Sequence, residues 1–320
     1  MKVGVFAVLF SQLPLEKALD YIVETGCEAI EIGTGAYPGG AHCPLDELVA
    51  DKSKALAWKK LITDRGLTIS ALSCHGNPLH PDAAFAKKDH DVFVKTVELA
   101  SMLGIDTVVT FSGCPGDHPG AKYPNWVTCP WPPDFTEILK YQWDEVAIPY
   151  WKEQNALLES KGVRVALEMH PGFMVYSAET ALRLRNACGK NIGINFDPSH
   201  LFWQGVDPVY AIRVLGDSIF HFHVKDCKID EINSKTNGVL DTKNYADEIN
   251  RAWVFRTAGY GHPATTWKDI VSALRMVGYD GALSIEHEDS LMSIDEGFRK
   301  AVWFVKNCII SEKPGAAYWA

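Results

Sequence analysis

Four short segments of this 320-residue chain place ionisable side chains at the ends of apolar runs. They are Ala166-Leu167-Glu168-Met169-His170, Asn195-Phe196-Asp197-Pro198-Ser199-His200, His221-Phe222-His223-Val224-Lys225-Asp226 and Ser284-Ile285-Glu286-His287-Glu288. In extended chain, alternate residues share a face, so Glu168 and His170 point one way, and His221, His223 and Lys225 share a face of their own run. If the four ends converge, Glu168, Asp197 and Glu286 repel one another unless a cation lies between them. Their oxygens and the imidazole of His223 form a set suited to one divalent ion, Mn²⁺ first with Mg²⁺ or Co²⁺ as alternatives, and with open positions for water or substrate. No thiolate stands among them, which argues against a structural zinc site. Taken singly each has an ordinary explanation: Asp197, before Pro198, could simply cap the next helix. The four together are what point to a metal.

The elements that must bring these ends together follow from a repeated rhythm. Short runs rich in Val, Ile and Phe alternate with longer segments of helical period. The runs are Val3–Val8, Ala29–Ile32, Thr68–Ser73, Thr107–Phe111, Val163–Met169, Ile192–Phe196, Ile219–Val224 and Ala282–Glu286. Helical stretches include Leu15–Thr25, Asp89–Leu103, Glu145–Ser160, Ala178–Cys188, Trp267–Val277 and Asp295–Asn307. A glycine precedes nearly every later strand (Gly26, Gly66, Gly104, Gly162, Gly189, Gly216, Gly278), where a helix ends in a left-handed residue. Strands that are apolar on both faces belong in a parallel sheet covered on both sides. A doubly wound open sheet is the competing architecture, but no G-x-G-x-x-G follows the first strand. The expected fold is α/β, a single (β/α)₈ TIM barrel over residues 1–320, and its site lies at the C-terminal ends of the strands.

At these strand ends the sequence resembles the xylose isomerase-like barrels, in particular the sugar phosphate isomerase/epimerase group. That group includes inosose dehydratase, ketose 3-epimerases and the larger subunit of C-glycoside-cleaving enzymes. The segments ALEMHPG, NFDPSHL, HFHVKD and LSIEHED carry the likeness, which runs from the first strand to the last helix. It implies metal ligands at Glu168, Asp197, His223 and Glu286, a substrate-binding or supporting role for His200, and proton exchange by the two glutamates flanking the substrate.

That chemistry is physically coherent. Removing a proton beside a carbonyl piles negative charge on oxygen, and a metal on the carbonyl and its neighbouring hydroxyl stabilises the enediolate. A carboxylate on one face takes the proton and an acid on the other returns it, which is isomerisation or epimerisation. If a group sits one carbon further on, the same first step leads to its elimination, as in a dehydratase or a lyase acting on oxidised (3-keto) glycosides, including C-glycosides. The expected catalytic set is therefore Glu168, Glu286, His170, His200 and Lys225. His170 is the best acid/base outside the metal ligands. Lys225 could hold an oxyanion or act as an acid, although a plain salt bridge to Asp226 is its more ordinary role. His287 stands with these as a further candidate, and His42, Cys74 and His75, after earlier strands, are candidates to line the pocket.

Two long connections carry no clear helix, Ser112–Thr136 after the fourth strand and Asp226–Thr265 after the seventh. Trp126, Trp131, Pro130, Pro132 and Pro133 in the first, and Trp253, Phe255, Arg256, Tyr260 and His262 in the second, offer surface for a sugar face or an aromatic aglycone, or for packing on the rim or on a partner. These loops and the tail Ala316-Ala317-Tyr318-Trp319 suggest a homo-oligomer or association with another subunit. A net charge of −9 makes nucleic acid an improbable partner and, with a single-metal inventory, disfavours a DNA-repair nuclease. A non-catalytic sugar sensor would have no need of four inward ligands. Eight scattered cysteines without a C-x-x-C pair read as reduced thiols. MKVGVFAVLF lacks a cleavage site and reads as a buried first strand, and no apolar run approaches the length of a bilayer span, so the expected location is the cytoplasm, away from membranes. The substrate expected is a small sugar or glycoside, with no phosphate-binding signature.

Overall fold

Strands whose Val, Ile and Leu side chains are buried on both faces pair in parallel and close on themselves in this computed structural model, which describes residues 1–313, 315–317 and 319. They are β1 (Lys2–Phe6), β2 (Ala29–Gly33), β3 (Thr68–Ser73), β4 (Thr107–Phe111), β5 (Arg164–Glu168), β6 (Ile192–Phe196), β7 (Ile219–Val224) and β10 (Ala282–Ile285). The order around the barrel is β1-β10-β7-β6-β5-β4-β3-β2, with β1 hydrogen-bonded to both β10 and β2. A closed ring leaves no unpaired edge. The open-sheet alternative is thereby excluded, and the chain is a single (β/α)₈ domain.

Helices cover the outside of the ring. They are α1 (Leu15–Glu24), α2 (Leu45–Ala50), α3 (Lys52–Thr63), α4 (Ala83–Leu103), α5 (Asp134–Lys140), α6 (Ile148–Lys161), α7 (Ala178–Cys188), α8 (Ser199–Phe202), α9 (Pro208–Leu215), α11 (Ala264–Met276) and α12 (Ile294–Cys308); a further short helix, α10 (Glu231–Asn237), lies in the loop after β7. Gly104 and Gly162 end α4 and α6 at φ 64°, the left-handed turn that brings the chain back to the next strand. Pro208 starts α9, where Asp207 caps the amide of Val209 and proline costs no hydrogen bond.

The barrel interior is built in layers. Gly193 on β6 has no side chain, and the Phe220 ring fills that space: a Cβ on Gly193 would lie 2.3 Å from the ring. Phe220 turns inward at the irregularity in the β6–β7 register, and with Ala71, Val109 and Ala166 it plugs the base. Two residues further along the strands, the interior becomes polar: Glu31, Ser73, Glu168, Asn195, His221, His223 and Ser284 are all at least 98 % buried. The apolar base confines the polar layer to the C-terminal mouth.

The connection Asp226–Thr265 is more structured than its sequence suggests. β8 (Asp226–Ile229) and β9 (Trp253–Arg256) form an antiparallel ribbon, with α10 between them. The carboxylate of Asp226 anchors it by accepting from the amides of Cys227, Gly259, Gly261 and His262, from His262 Nδ1 and from Trp267 Nε1. The Ser112–Thr136 connection does lack regular structure up to Asp134, where α5 begins and runs through a π-helical turn, Tyr141–Ala147, into α6. No helix among the described residues is long and apolar enough to cross a membrane. Of the tail residues, Tyr318 lies outside the described residues.

Candidate metal centre

β5, β6, β7 and β10 are consecutive in the ring, and each delivers one side chain to the same point. Glu168 ends β5, Asp197 follows β6, His223 lies one residue before the end of β7, and Glu286 follows β10. One ligand atom from each of the four falls within 4.8 Å of the others. His223 Nδ1 is 3.2 Å from Glu168 Oε2 and 3.2 Å from Glu286 Oε2. Asp197 Oδ1 accepts from the Ser199 amide at 2.8 Å, although the N-cap position of α8 belongs to Pro198, and its other oxygen is turned inward. Asp197 Oδ2 and His223 Nδ1 are buried and make no hydrogen bond of good geometry, although the Lys225 ammonium lies 3.1 Å from the former. Buried polar atoms without a hydrogen bond are costly, and a cation bound by the four side chains would satisfy both. Three carboxylates and an imidazole are a donor set that fits such an ion.

Neighbouring side chains hold this set in place. Glu31, at the centre of β2, accepts from His223 Nε2 at 2.9 and 3.1 Å, and from the hydroxyls of Ser284 (2.7 Å) and Ser73. Glu168 Oε2 accepts from His75 Nε2 and from Asn195 Nδ2, both at 2.9 Å. Asn195 Oδ1 in turn accepts from His221 Nδ1 at 3.0 Å, which makes a chain of three groups ending on the glutamate. Two other clusters could in principle hold an ion, Glu31-His221-His223 and Glu168-His170-His200. The first already has its hydrogen bonds satisfied by Ser73, Ser284, Ser70 and Asn195, and the second offers only one carboxylate. The four-residue set is the better site.

Protonation follows from burial and from these neighbours. Burial alone would raise Glu31, but the imidazoles of His223 and His221 hold it down at about 2. Asp197 goes the other way: burial, with Glu168 and Glu286 adding to it against Lys225, lifts it to about 7. Burial opposes ionisation of Glu168 and Glu286, yet His223, with His75 at Glu168 and Lys225 at Glu286, keeps both well below the usual carboxylate range. His170 is driven down to about 4 by burial, and is neutral at pH 7. Its Nδ1 donates to the Pro171 carbonyl at 2.6 Å, which leaves the Nε2 lone pair free to accept a proton.

Lys225 does not pair with Asp226. Its ammonium, 97 % buried, lies 2.8 Å from Glu286 Oε2, 3.0 Å from Glu288 Oε2 and 3.1 Å from Asp197 Oδ2, because period two turns it inward with His223 while Asp226 turns out to the ribbon. His200 is fully enclosed, its Nε2 3.3 Å from both Glu168 Oε1 and Asp197 Oδ2, and its ring 4.1 Å from that of His170. His75 lines the cavity, as its place after β3 suggests. His42 does not: it donates to the Leu13 carbonyl at the periphery. His287 points outward, its ring occupying the space where Gly297 of α12 lacks a side chain. Glu31, Asn195 and Glu288 are the site residues that the sequence does not single out. The signal for Glu31 was available, since a glutamate amid the buried apolar run Ala29–Ile32 needs a partner.

The mouth of the barrel is a cavity of about 220 Å³ lined by Glu168, Glu286, Glu288, Lys225, His170 and His75, with Phe6, Phe111 and Tyr37 as apolar walls. Of the aromatic loop residues singled out in the sequence, only Phe255 lines a cavity that reaches it. Trp131 is 72 % exposed, Trp253 stacks on Trp203, Trp126 packs edge-on against Tyr176, and His262 stacks on Phe202.

A closed eight-stranded parallel barrel with acidic and imidazole side chains gathered at the C-terminal ends of its strands is the class of protein that the fold and the site define. The chain belongs to the xylose isomerase-like TIM barrel family, whose profile matches residues 19–308. It is 41 % identical over 312 residues to the uncharacterized protein YfiH of Bacillus subtilis (strain 168), covering 97 % of this chain and 99 % of that one. It is 27 % identical over 157 residues to an inosose dehydratase of Geobacillus thermodenitrificans, covering 49 % of each. Among solved structures, the IOLI protein with a bound zinc atom superposes with a TM-score of 0.65 at 20 % identity, over 97 % of this chain and 98 % of that one.

Proposed function

We propose that this protein is a divalent-metal-dependent sugar isomerase or epimerase that removes a proton from the carbon beside a carbonyl. The observation that carries this is the placement of two glutamates, Glu168 and Glu286, each 3.2 Å from a His223 Nδ1 that makes no hydrogen bond, with Asp197 Oδ2 turned toward the same point and the Lys225 ammonium 3.1 Å from it. A divalent cation on these four side chains, Mn²⁺ first, would supply stabilisation for the negative charge that gathers on the carbonyl oxygen as the proton leaves. The zinc atom bound by the structurally similar IOLI protein is consistent with a divalent ion in such a barrel.

The protein's own groups do the rest. Glu168, held by His75 and Asn195, takes the proton from one face of the substrate carbon. On the other face the proton is returned from the Lys225 ammonium, 2.8 Å from the ionised Glu286, which relays it to the substrate carbon and is left ionised again while Lys225 becomes neutral. His200, buried between Glu168 and Asp197, supports the site by holding those two carboxylates in position. The apolar walls Phe6 and Phe111 exclude water from the reacting carbon.

One observation favours a second outcome of the same first step. The Lys225 ammonium lies against Glu286, and His170 presents a free Nε2, so a proton donor and an additional base stand beside the two glutamates. A donor near the substrate suits protonation of a leaving group, which is the dehydratase or glycoside-lyase reaction. The test is incubation of the Mn²⁺-loaded protein with 3-keto sugars and 3-keto glycosides in D₂O. Incorporation of deuterium beside the carbonyl is expected with either outcome. No exchange and no product with any of Mn²⁺, Co²⁺ or Mg²⁺ would overturn the proposal.

A further inference from the structure

The metal cavity does not end at the residues that hold the ion. It shares His170 and Glu288 with a second cavity of about 450 Å³, whose walls include Tyr245, Phe255 and Ala246 and whose polar groups are Asn244 and Ser290. Ligand sites commonly span roughly 300–1,000 Å³. At about 220 Å³ the metal cavity alone is smaller than that, and the two together fall within it.

The aromatic wall is a built feature. Arg251, 99 % buried, sets its guanidinium 4.3 Å from the Tyr245 ring centroid. Tyr245 stacks on Phe255 with centroids 5.5 Å apart and 21° between planes. Phe255 then meets the His200 ring edge-on at 5.4 Å and the Lys225 ammonium at 4.8 Å. A column of packed groups thus runs from the loop after β7 to the centre of the site, and it presents aromatic surface to whatever occupies the second cavity. Glu288 stands at the junction of the two cavities, where its carboxylate repels anions and accepts from hydroxyls.

We propose that the substrate has two parts: a keto-sugar unit placed on the Glu168-Asp197-His223-Glu286 centre, and an uncharged planar ring joined to it that lies in the Tyr245–Phe255 cavity. This rests on the function proposed above and narrows its substrate to an aryl-glycoside type of molecule, excluding one with a phosphate at that end.

The experiment compares phenyl 3-keto-β-D-glucopyranoside with methyl 3-keto-β-D-glucopyranoside by titration calorimetry, on the Mn²⁺-loaded protein and after chelation. A second protein, Ala246→Trp, adds bulk to the second cavity at an exposed loop residue that does not line the metal cavity. The phenyl glycoside is expected to bind at least about tenfold more tightly than the methyl glycoside, with the preference lost in Ala246→Trp and Mn²⁺ affinity unchanged. Equal affinities in the wild type, no binding of the phenyl glycoside, or a preference that survives in Ala246→Trp each overturn the proposal. A phenyl preference that persists although the protein takes up no Mn²⁺ supports the cavity while defeating the metal-dependent function.

Discussion

Glu31 and His223 reach across the barrel mouth from β2 and β7, and the imidazole Nε2–H donates to both oxygens of that carboxylate, at 2.9 and 3.1 Å. The bond fixes the ring so that Nδ1 faces Glu168 and Glu286. An acceptor behind a ligating histidine sets its tautomer, its orientation and its basicity, and removing such a partner typically costs 10–100-fold in metal affinity. Glu31→Gln keeps the shape but gives up the charge, so Mn²⁺ affinity should fall by roughly that factor. Competition with a chelating dye checks it, with near-ultraviolet circular dichroism as a control for folding. Wild-type affinity in the variant would remove Glu31 from the site.

Metal removal should be visible in stability. An ion that binds only the folded state stabilises it by about 2.7 kcal/mol at a hundredfold excess over Kd. For a chain of this size that amounts to an increase of about 5 °C in Tm. Mn²⁺ should therefore raise the melting temperature, a chelator should reverse the rise, and Asp197→Asn should abolish it. A melting temperature indifferent to Mn²⁺, Co²⁺, Mg²⁺ and chelator would mean that Lys225 and His223 alone offset the three carboxylates.

The two glutamates should be separable from the scaffold. Glu168→Gln and Glu286→Gln preserve volume but not basicity, and each should lower turnover by at least about 10²-fold at saturating metal. Steady-state rates on a 3-keto sugar, with metal content measured on the same samples, decide the matter. Near-normal turnover in both variants would rule out these roles.

The barrel is legible in the sequence because its signals are local. A buried run followed by a helical period and a closing glycine is visible within some thirty residues, so seven of the eight runs match observed strands closely; the first run, Val3–Val8, overshoots, because the chain turns into a 3₁₀ segment at Ala7. Glu168, Asp197, His223 and Glu286 are legible for a related reason, since each stands at or near the end of such a run. What the sequence hides is contact between distant strands. Glu31 supports a histidine 192 residues away, and only closure of the ring makes them neighbours. The partners of Lys225 are hidden in the same way: Asp226 is adjacent in sequence, but alternation along the strand sends the two side chains in opposite directions. The ribbon of β8 and β9 escapes detection because Asp226–Ile229 and Trp253–Arg256 are short and separated by a polar, helix-containing insertion.

Lys225 is the residue on which the two reaction outcomes divide. Both begin with loss of the proton beside the carbonyl, and neither needs the ammonium for that step if Glu168 is the base. Expulsion of a substituent one carbon further on does need a proton donor, and Lys225, charged and 2.8 Å from Glu286, is the donor at hand. With a 3-keto glycoside deuterated at the carbon next to the carbonyl, wild-type protein should show a primary isotope effect or wash the label into water. Lys225→Met in the presence of saturating Mn²⁺ should then keep label exchange within about tenfold of wild type while aglycone release falls by about 10²-fold or more, if the protein is a lyase. If it is an epimerase, no aglycone leaves with either protein and the label is lost with inversion at that carbon. Product that retains the label and shows no isotope effect would point instead to a hydride shift between carbons, and the proposal of proton abstraction would have to be given up.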